Sequence, residues 1–120
     1  MSIQYSDNAT MLDAVASTTT SQIYDVSKRQ LVSIQFTATT YSSGAGTFSI
    51  SASNDGTNWV NNIAFLDATA TATGTSVTQK AVNATATPAI AIVNPSFRYL
   101  TVTCSVAGTG TYSATIEAKG

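Results

Sequence analysis

The sequence predicts an all-β fold: an antiparallel two-sheet β-sandwich, jelly-roll or immunoglobulin-like, with roughly seven or eight strands. Residues 1–22 read as an N-terminal arm or first strand, and 23–120 as the sandwich domain. Three observations carry this. Four runs alternate strictly between apolar and polar residues, the period of a half-buried strand. Turn signals such as Asn54-Asp55-Gly56 and Gly108-Thr109-Gly110 separate the runs. The residues that replace charge are strand formers: 21 Thr join the Val, Ile, Tyr and Phe that fit a pleated surface.

Taken in order, residues 1–22 carry no clean period. Ile3 and Tyr5 allow a short strand, and Asn8 to Ala16 allow a capped helical turn or two with Met11, Leu12 and Val15 on one side. Ile23, Tyr24 and Val26 predict a short strand that ends at Ser27-Lys28-Arg29. Val32, Ile34, Phe36 and Ala38 alternate with Ser33, Gln35 and Thr37; Tyr41 to Gly46 reads as a turn; Phe48, Ile50 and Ala52 alternate with Thr47, Ser49 and Ser51. Together these predict a hairpin.

Ser53 to Asn58 is a turn, because Asn-Asp-Gly supplies an Asx cap and a left-handed position. Trp59 opens a strand to Leu66. Residues 67–89, rich in Ala and Thr, predict edge strands and a long loop, with strand tendency from Ser76 to Val82. Ile90, Ile92 and Val93 form a short run before Asn94-Pro95. Leu100, Val102, Cys104 and Val106, then Tyr112, Ala114, Ile116 and Ala118, predict a second hairpin around Ala107 to Gly110. Gly46-Thr47-Phe48-Ser49 matches Gly110-Thr111-Tyr112-Ser113, which fits a pseudo-repeat with one hairpin in each sheet and equally a coincidence between two hairpins of this composition.

Composition narrows the function. The chain has 120 residues, no His, one Cys and a net charge of −1. Without His, a Ser–His–Asp or Cys–His centre is excluded. The acidic residues Asp7, Asp13, Asp25, Asp55, Asp67 and Glu117 stand singly, so no local acid–base pair forms. No catalytic residue, cofactor or metal is therefore expected. Near-neutral charge gives no footprint for nucleic acid or an anionic membrane, and Lys28-Arg29 is too short a basic run. No apolar run approaches the roughly 18–20 residues of a spanning helix. The N-terminus has neither the basic nor the apolar region of a secretory signal.

The charged fraction is 9%, and Lys occurs only at positions 28, 80 and 119. Free β-proteins guard their sheet edges with charge, Lys above all. A sandwich with so few guards is expected to associate. Candidate ligand or interface residues are Trp59, Asn58, Asn61, Arg98 and Tyr41, beside the turn residues Asn54, Asp55 and Gly56. Trp59 reads first as a core plug and second as a sugar-stacking platform, with Asn58 and Asn61 supplying amide hydrogen bonds. Arg98, flanked by Phe97 and Tyr99, fits a surface pair or an interface. Cys104 lies on the apolar face of its strand and reads as a buried core residue.

The segment Ser53-Asn54-Asp55-Gly56-Thr57-Asn58-Trp59, followed by Phe97-Arg98-Tyr99-Leu100-Thr101-Val102, resembles small β-sandwich virion proteins of tailed bacteriophages. More weakly it resembles discoidin-like sandwiches, which carry a similar S-x-DG-x-x-W turn and a later R-Y-x-R strand. Thr101 stands where the second Arg of that strand would be, and the discoidin disulfide is impossible with one Cys. The resemblance covers about residues 31–119. It implies a structural role: a head decoration, or cement, protein on the outer capsid surface. It would bind the major capsid protein as a homo-oligomer, expected to be a trimer. The alternatives it leaves are a carbohydrate- or receptor-binding module of a tail or head fibre, and a tail or neck component.

Overall fold

The computed structural model describes the backbone of residues 3–4 and, in full, residues 8–68 and 75–120. The readings made for Tyr5 and for residues 69–74 of the Ala/Thr tract lie outside the described residues. Twelve strands are present among the described residues: β1 (Ile3–Gln4), β2 (Asn8–Val15), β3 (Thr19–Thr20), β4 (Ile23–Asp25), β5 (Leu31–Ser43), β6 (Gly46–Ser53), β7 (Phe65–Asp67), β8 (Thr75–Val77), β9 (Lys80–Val82), β10 (Ala89–Val93), β11 (Tyr99–Val106) and β12 (Thr109–Lys119).

They form a two-sheet sandwich, as the alternating runs predict. The first sheet runs β1-β4-β11-β6-β9, with β3 also on β11; the second runs β2-β12-β5-β10-β7-β8. Pairing is antiparallel except for the short parallel contact of β1 with β4. The strand count exceeds the expected seven or eight because six of the strands have only two or three residues and leave little period to read.

The four long strands are where the sequence places them, but their pairing differs. Neither expected hairpin is a hairpin. β5 lies in the second sheet and β6 in the first; β11 lies in the first and β12 in the second. β5 pairs with β12 from Leu31↔Lys119 to Ser43↔Thr109. β6 pairs with β11 from Gly46↔Val106 to Ser53↔Tyr99. The four strands are thus one long antiparallel ribbon, folded over so that its halves face each other across the core.

The fold line falls at Gly44-Ala45 and Ala107-Gly108, where Ala107 N donates to Ala45 O at 3.1 Å. Gly44 has φ +73°, and a Cβ there would lie 2.6 Å from Gly108 N; a Cβ on Gly108 would lie 2.1 Å from Ser43 O. Two backbones crossing this closely leave no room for side chains. The turn expected from Tyr41 shrinks to two residues, and Tyr41 itself belongs to β5, opposite Gly110.

Residues 8–15 form an edge strand on β12 rather than helical turns. The β2–β12 register shifts twice, between Tyr112 and Ala114 and between Ala114 and Thr115. Ala14 takes a positive φ of 49° and donates its N–H to Ser113 Oγ at 2.8 Å. Each bulge skips a beat of the two-residue period. Met11 and Leu12, adjacent in sequence, are both buried, and the pattern imitates a helix.

The core is stitched by aromatic rings. Phe36 of the second sheet stacks on Phe48 of the first, centroids 4.4 Å apart. Phe65 and Tyr112 meet this pair edge-on at 6.0 and 6.3 Å. Offset and edge contacts of this kind add to the area they bury. At the sheet edges, Lys80 on β9 reaches across to the buried carboxylate of Asp67 on β7 at 2.8 Å. Outward hydroxyls bond one another, as in Thr39–Thr111 at 2.6 Å and Thr20–Thr103 at 2.9 Å.

Candidate functional site

Two surfaces stand out: a polar cluster at the end of the sandwich away from the fold line, and the outer face of the second sheet. The polar cluster is built by the loops after β4, β6 and β10. The Asp55 carboxylate organises the second of these. Its Oδ1 accepts from Asn58 N at 2.8 Å, Thr57 N at 2.9 Å and Ser53 Oγ at 3.0 Å, and its Oδ2 accepts from Asn58 Nδ2 at 2.8 Å. The Asn58 backbone N–H, the Asn58 amide, the Thr57 N–H and the Ser53 hydroxyl together hold this carboxyl far below the usual carboxylate range. Gly56 supplies the left-handed residue, φ +77°, which the Asn-Asp-Gly motif announces.

Asn54 Oδ1 accepts the N–H of Arg98 at 3.1 Å, and the carbonyl of Arg98 accepts the N–H of Val26 at 2.8 Å. One residue therefore ties three loops together. The Arg98 guanidinium lies over the Tyr99 ring, 4.9 Å from its centroid. Its Nε stands 3.9 Å from Asp25 Oδ2, an ion pair but too long for a hydrogen bond. Asp25 spends its other oxygen on Ser27, accepting from the N–H at 2.9 Å and from Oγ at 2.6 Å.

The structure therefore gathers Asn54, Asp55, Gly56, Asn58 and Arg98 at one end. Asn61 lies close along the chain and accepts from Ser51 Oγ at 3.0 Å. Tyr41 does not join them; it sits by the fold line at the opposite end, 38% exposed. Trp59 is half-buried and lies outside the buried core cluster. Beside it, Val60 bridges to Ala52, and a concavity of about 330 Å³ is lined by Asn54, Asn58, Val60, Ile63 and Phe97. Among the described residues there is no group of three or more His, Cys, Asp or Glu able to hold a metal ion. Cys104 is fully buried, and burial pushes its thiol up to about 11.

The second surface was missed in the sequence. In β10, Ala89, Ala91 and Val93 point inward, while Ile90 and Ile92 are each 44% exposed. The small residues face the core because the aromatic rings fill that space: Ala89 pairs with Phe36. The larger aliphatics are left outside. Ile92 stands opposite Leu66 of β7, 39% exposed, and on its other side lies Ser33, two residues from Leu31 at 65%. Concavities of about 310 and 350 Å³ flank Ile92, one bordered by Leu31, Glu117 and Lys119, the other by Leu66 and Ser76. The cue was present in Ala89-Ile90-Ala91-Ile92-Val93, but alternation alone does not say which set faces in. Scattered exposed aliphatics are ordinary, whereas these four share one sheet face.

No family model matches the chain, and no curated protein matches it in sequence. Among solved structures, the chain is similar to the crystal structure of the SPBc2 prophage-derived protein YomS, with a TM-score of 0.72 and 5% sequence identity. The match covers 93% of this chain and 91% of that one. At this identity the likeness shows a shared fold.

Proposed function

We propose that the chain is a structural protein of a phage particle: a non-enzymatic decoration protein on the outer capsid surface that binds the major capsid protein and stabilises the head. The observation that carries this reading is the aliphatic face of Leu31, Leu66, Ile90 and Ile92 on the second sheet. A chain with a charged fraction of 9% has little else to keep that face in water. Four outward aliphatics in place of polar residues are explained by a surface that they cover. The likeness to a prophage-derived protein over nearly the whole chain supports the same reading.

The mechanism is adhesive. Aliphatic and hydroxyl contacts are not screened by salt as ion pairs are. Weak contacts repeated around a shell gain strength from multivalency. Association as a closed trimer at three-fold points of the shell gives each copy the same environment without open-ended growth.

The test is co-sedimentation with undecorated capsids, together with the capsid melting temperature. Stoichiometric binding that raises the melting temperature, and that is lost in Ile90→Asp/Ile92→Asp while the variant keeps its fold, supports the reading. A folded wild type that ignores capsids overturns it.

A second reading, a carbohydrate-binding module, draws on the half-buried Trp59 beside the concavity that carries the Asn54 and Asn58 amides. Quenching of Trp59 fluorescence by a glycan in an array screen would favour it over the adhesive role.

A further inference from the structure

The concavity of about 330 Å³ beside Val60 is walled by Val60, Ile63 and Phe97 and carries the side chains of Asn54 and Asn58. Among the described residues, none that lines it is charged. Asp55, which stands between the two asparagines in the turn, spends both carboxylate oxygens on Ser53, Thr57 and Asn58. An apolar hollow with a few fixed polar groups and no charge suits a neutral ligand.

Each of the two amides has one end fixed by its own loop. Asn54 Oδ1 accepts the N–H of Arg98 at 3.1 Å, which leaves Nδ2 as a donor. Asn58 Nδ2 donates to Asp55 Oδ2 at 2.8 Å, which leaves Oδ1 as an acceptor. Neither amide makes a further hydrogen bond among the described residues. The hollow thus offers one donor and one acceptor beside an aliphatic wall, both held in place before a ligand arrives. A secondary amide carries the matching pair, a carbonyl and an N–H, and an acetamide adds a methyl for the wall.

The amide does not come on a peptide strand. Beyond its pairing with β9, the outer edge of β6 is already taken: Ala52 and Val60 exchange both backbone bonds, at 2.9 and 3.0 Å, and Ile63 N donates to Ile50 O at 2.9 Å. A strand added there finds no free ladder. The amide must therefore arrive as a side group on another framework, and a sugar ring supplies one that is neutral and keeps its hydroxyls in water.

The geometry points to a site for an N-acetylated hexosamine. Its acetamido carbonyl accepts from Asn54 Nδ2, its N–H donates to Asn58 Oδ1, and its methyl packs on Val60 and Ile63. This rests on the carbohydrate-binding reading and names the class of sugar. It does not involve the aliphatic face of Leu31, Leu66, Ile90 and Ile92, which shares no residue with the concavity.

The test is an NMR titration of the full chain at pH 7 that follows the Asn side-chain amides and the Val and Ile methyl groups. The probes are the methyl β-glycosides of N-acetylglucosamine and N-acetylgalactosamine, those of glucose and galactose, and N-methylacetamide. Saturable shifts at Asn54, Asn58, Val60 and Ile63 are expected with at least one acetylated sugar. Its unacetylated counterpart should bind at least about tenfold more weakly, because it leaves an amide end of the site unpaired. Asn54→Asp keeps the oxygen that accepts from Arg98 and removes the donor, so it should weaken binding of the acetylated sugar about tenfold. Val60→Thr exchanges one methyl for a hydroxyl at an exposed position and should weaken it about threefold. The backbone amide spectra report whether each variant keeps its fold. Equal binding of acetylated and plain sugars, or an unchanged affinity in folded Asn54→Asp, would overturn the acetamido site and leave the carbohydrate module standing. No response to any of the four sugars would overturn both. N-methylacetamide binding as tightly as the acetylated sugars would overturn the sugar as the occupant.

Discussion

Gly46 opens β6 directly beneath the ring of Tyr112, and replacing it with alanine should drive a methyl into that ring. An ideal Cβ at position 46 would lie 2.5 Å from Cδ1, 2.7 Å from Cε1 and 2.7 Å from Cγ of Tyr112. Carbon atoms pack at about 3.5–4.0 Å, so three ring atoms must retreat by roughly 1 Å. The ring cannot retreat freely: it is fully buried and meets Phe48 edge-on at 6.3 Å. Nor can the backbone yield, because Gly46 is paired on both sides, with Val106 and with Val82. Overpacking of this kind costs about 1–3 kcal/mol, and the rigid surroundings place it at the upper end. The entropy that alanine recovers in the unfolded chain offsets about 0.5–1 kcal/mol. The expected net loss is about 2 kcal/mol. Urea unfolding followed by Trp59 fluorescence should show a midpoint lowered by about 1 M at an unchanged slope. Gly110→Ala, whose Cβ would stand 2.9 Å from Thr40 O and 3.0 Å from Tyr112 Oη, should cost less. Combining Gly46→Ala with Tyr112→Leu should fall short of the summed losses by about 1 kcal/mol, because the two share one contact. A Gly46→Ala protein as stable as wild type, or strict additivity in the double variant, would refute the placement of this ring.

Other outcomes follow from the same packing. The Tyr112 hydroxyl is buried without a hydrogen-bond partner among the described residues, so Tyr112→Phe should leave stability unchanged or raise it by about 1 kcal/mol in the same urea assay. Lys80→Ala removes the cation beside the nearly buried Asp67 carboxylate and should cost about 1–2 kcal/mol, less than for a fully buried pair because Lys80 is partly exposed. Cys104 should resist alkylation at pH 8 in the folded protein and react on unfolding, since its thiol is buried and raised to about 11; mass spectrometry after pulse labelling reads this directly. Asp55 titrates below its ordinary value of 3.8, so its contribution to stability is complete above that value and is lost as pH falls through the lowered one. Its carboxyl carbon should still show the ionised shift in an NMR titration at about pH 3.

The long strands were legible because each keeps a strict two-residue period on a surface buried on one side. Val32 to Ala38 and Tyr112 to Ala118 are buried at every second position as expected. Their sheet assignment was not legible. A two-residue link with glycine reads locally as a hairpin turn, and only the contact of Gly44 with Gly108, far apart in sequence, makes it a crossing between sheets. In residues 8–15 two bulges erased the period. In β10 the orientation was hidden because small residues fill the core wherever aromatic rings already occupy it. The Asn54-Asp55-Gly56 turn was plain from its chemistry. The groove that Lys28 and Arg29 line with Arg98 was not, because the two stand some 70 residues from Arg98 and are brought beside it by the pairing of β4 with β11 and the loop bonds of Asn54 and Val26.

The folded ribbon also governs how the chain reaches its native state. β11 and β12, the last two of the described strands in chain order, are interior strands of the two sheets: β12 lies between β2 and β5, and β11 between β4 and β6. Until they are present, β5 and β6 lack the partners with which they share their longest pairings. Without β11 and β12 the second sheet is reduced to β5-β10-β7-β8, and the first falls into the separate pairs β1-β4 and β6-β9. Each decisive pairing joins residues some 50 to 90 positions apart, which places this protein among the slow folders of its size. The two halves of the ribbon therefore close together, and the fold forms as a single cooperative unit.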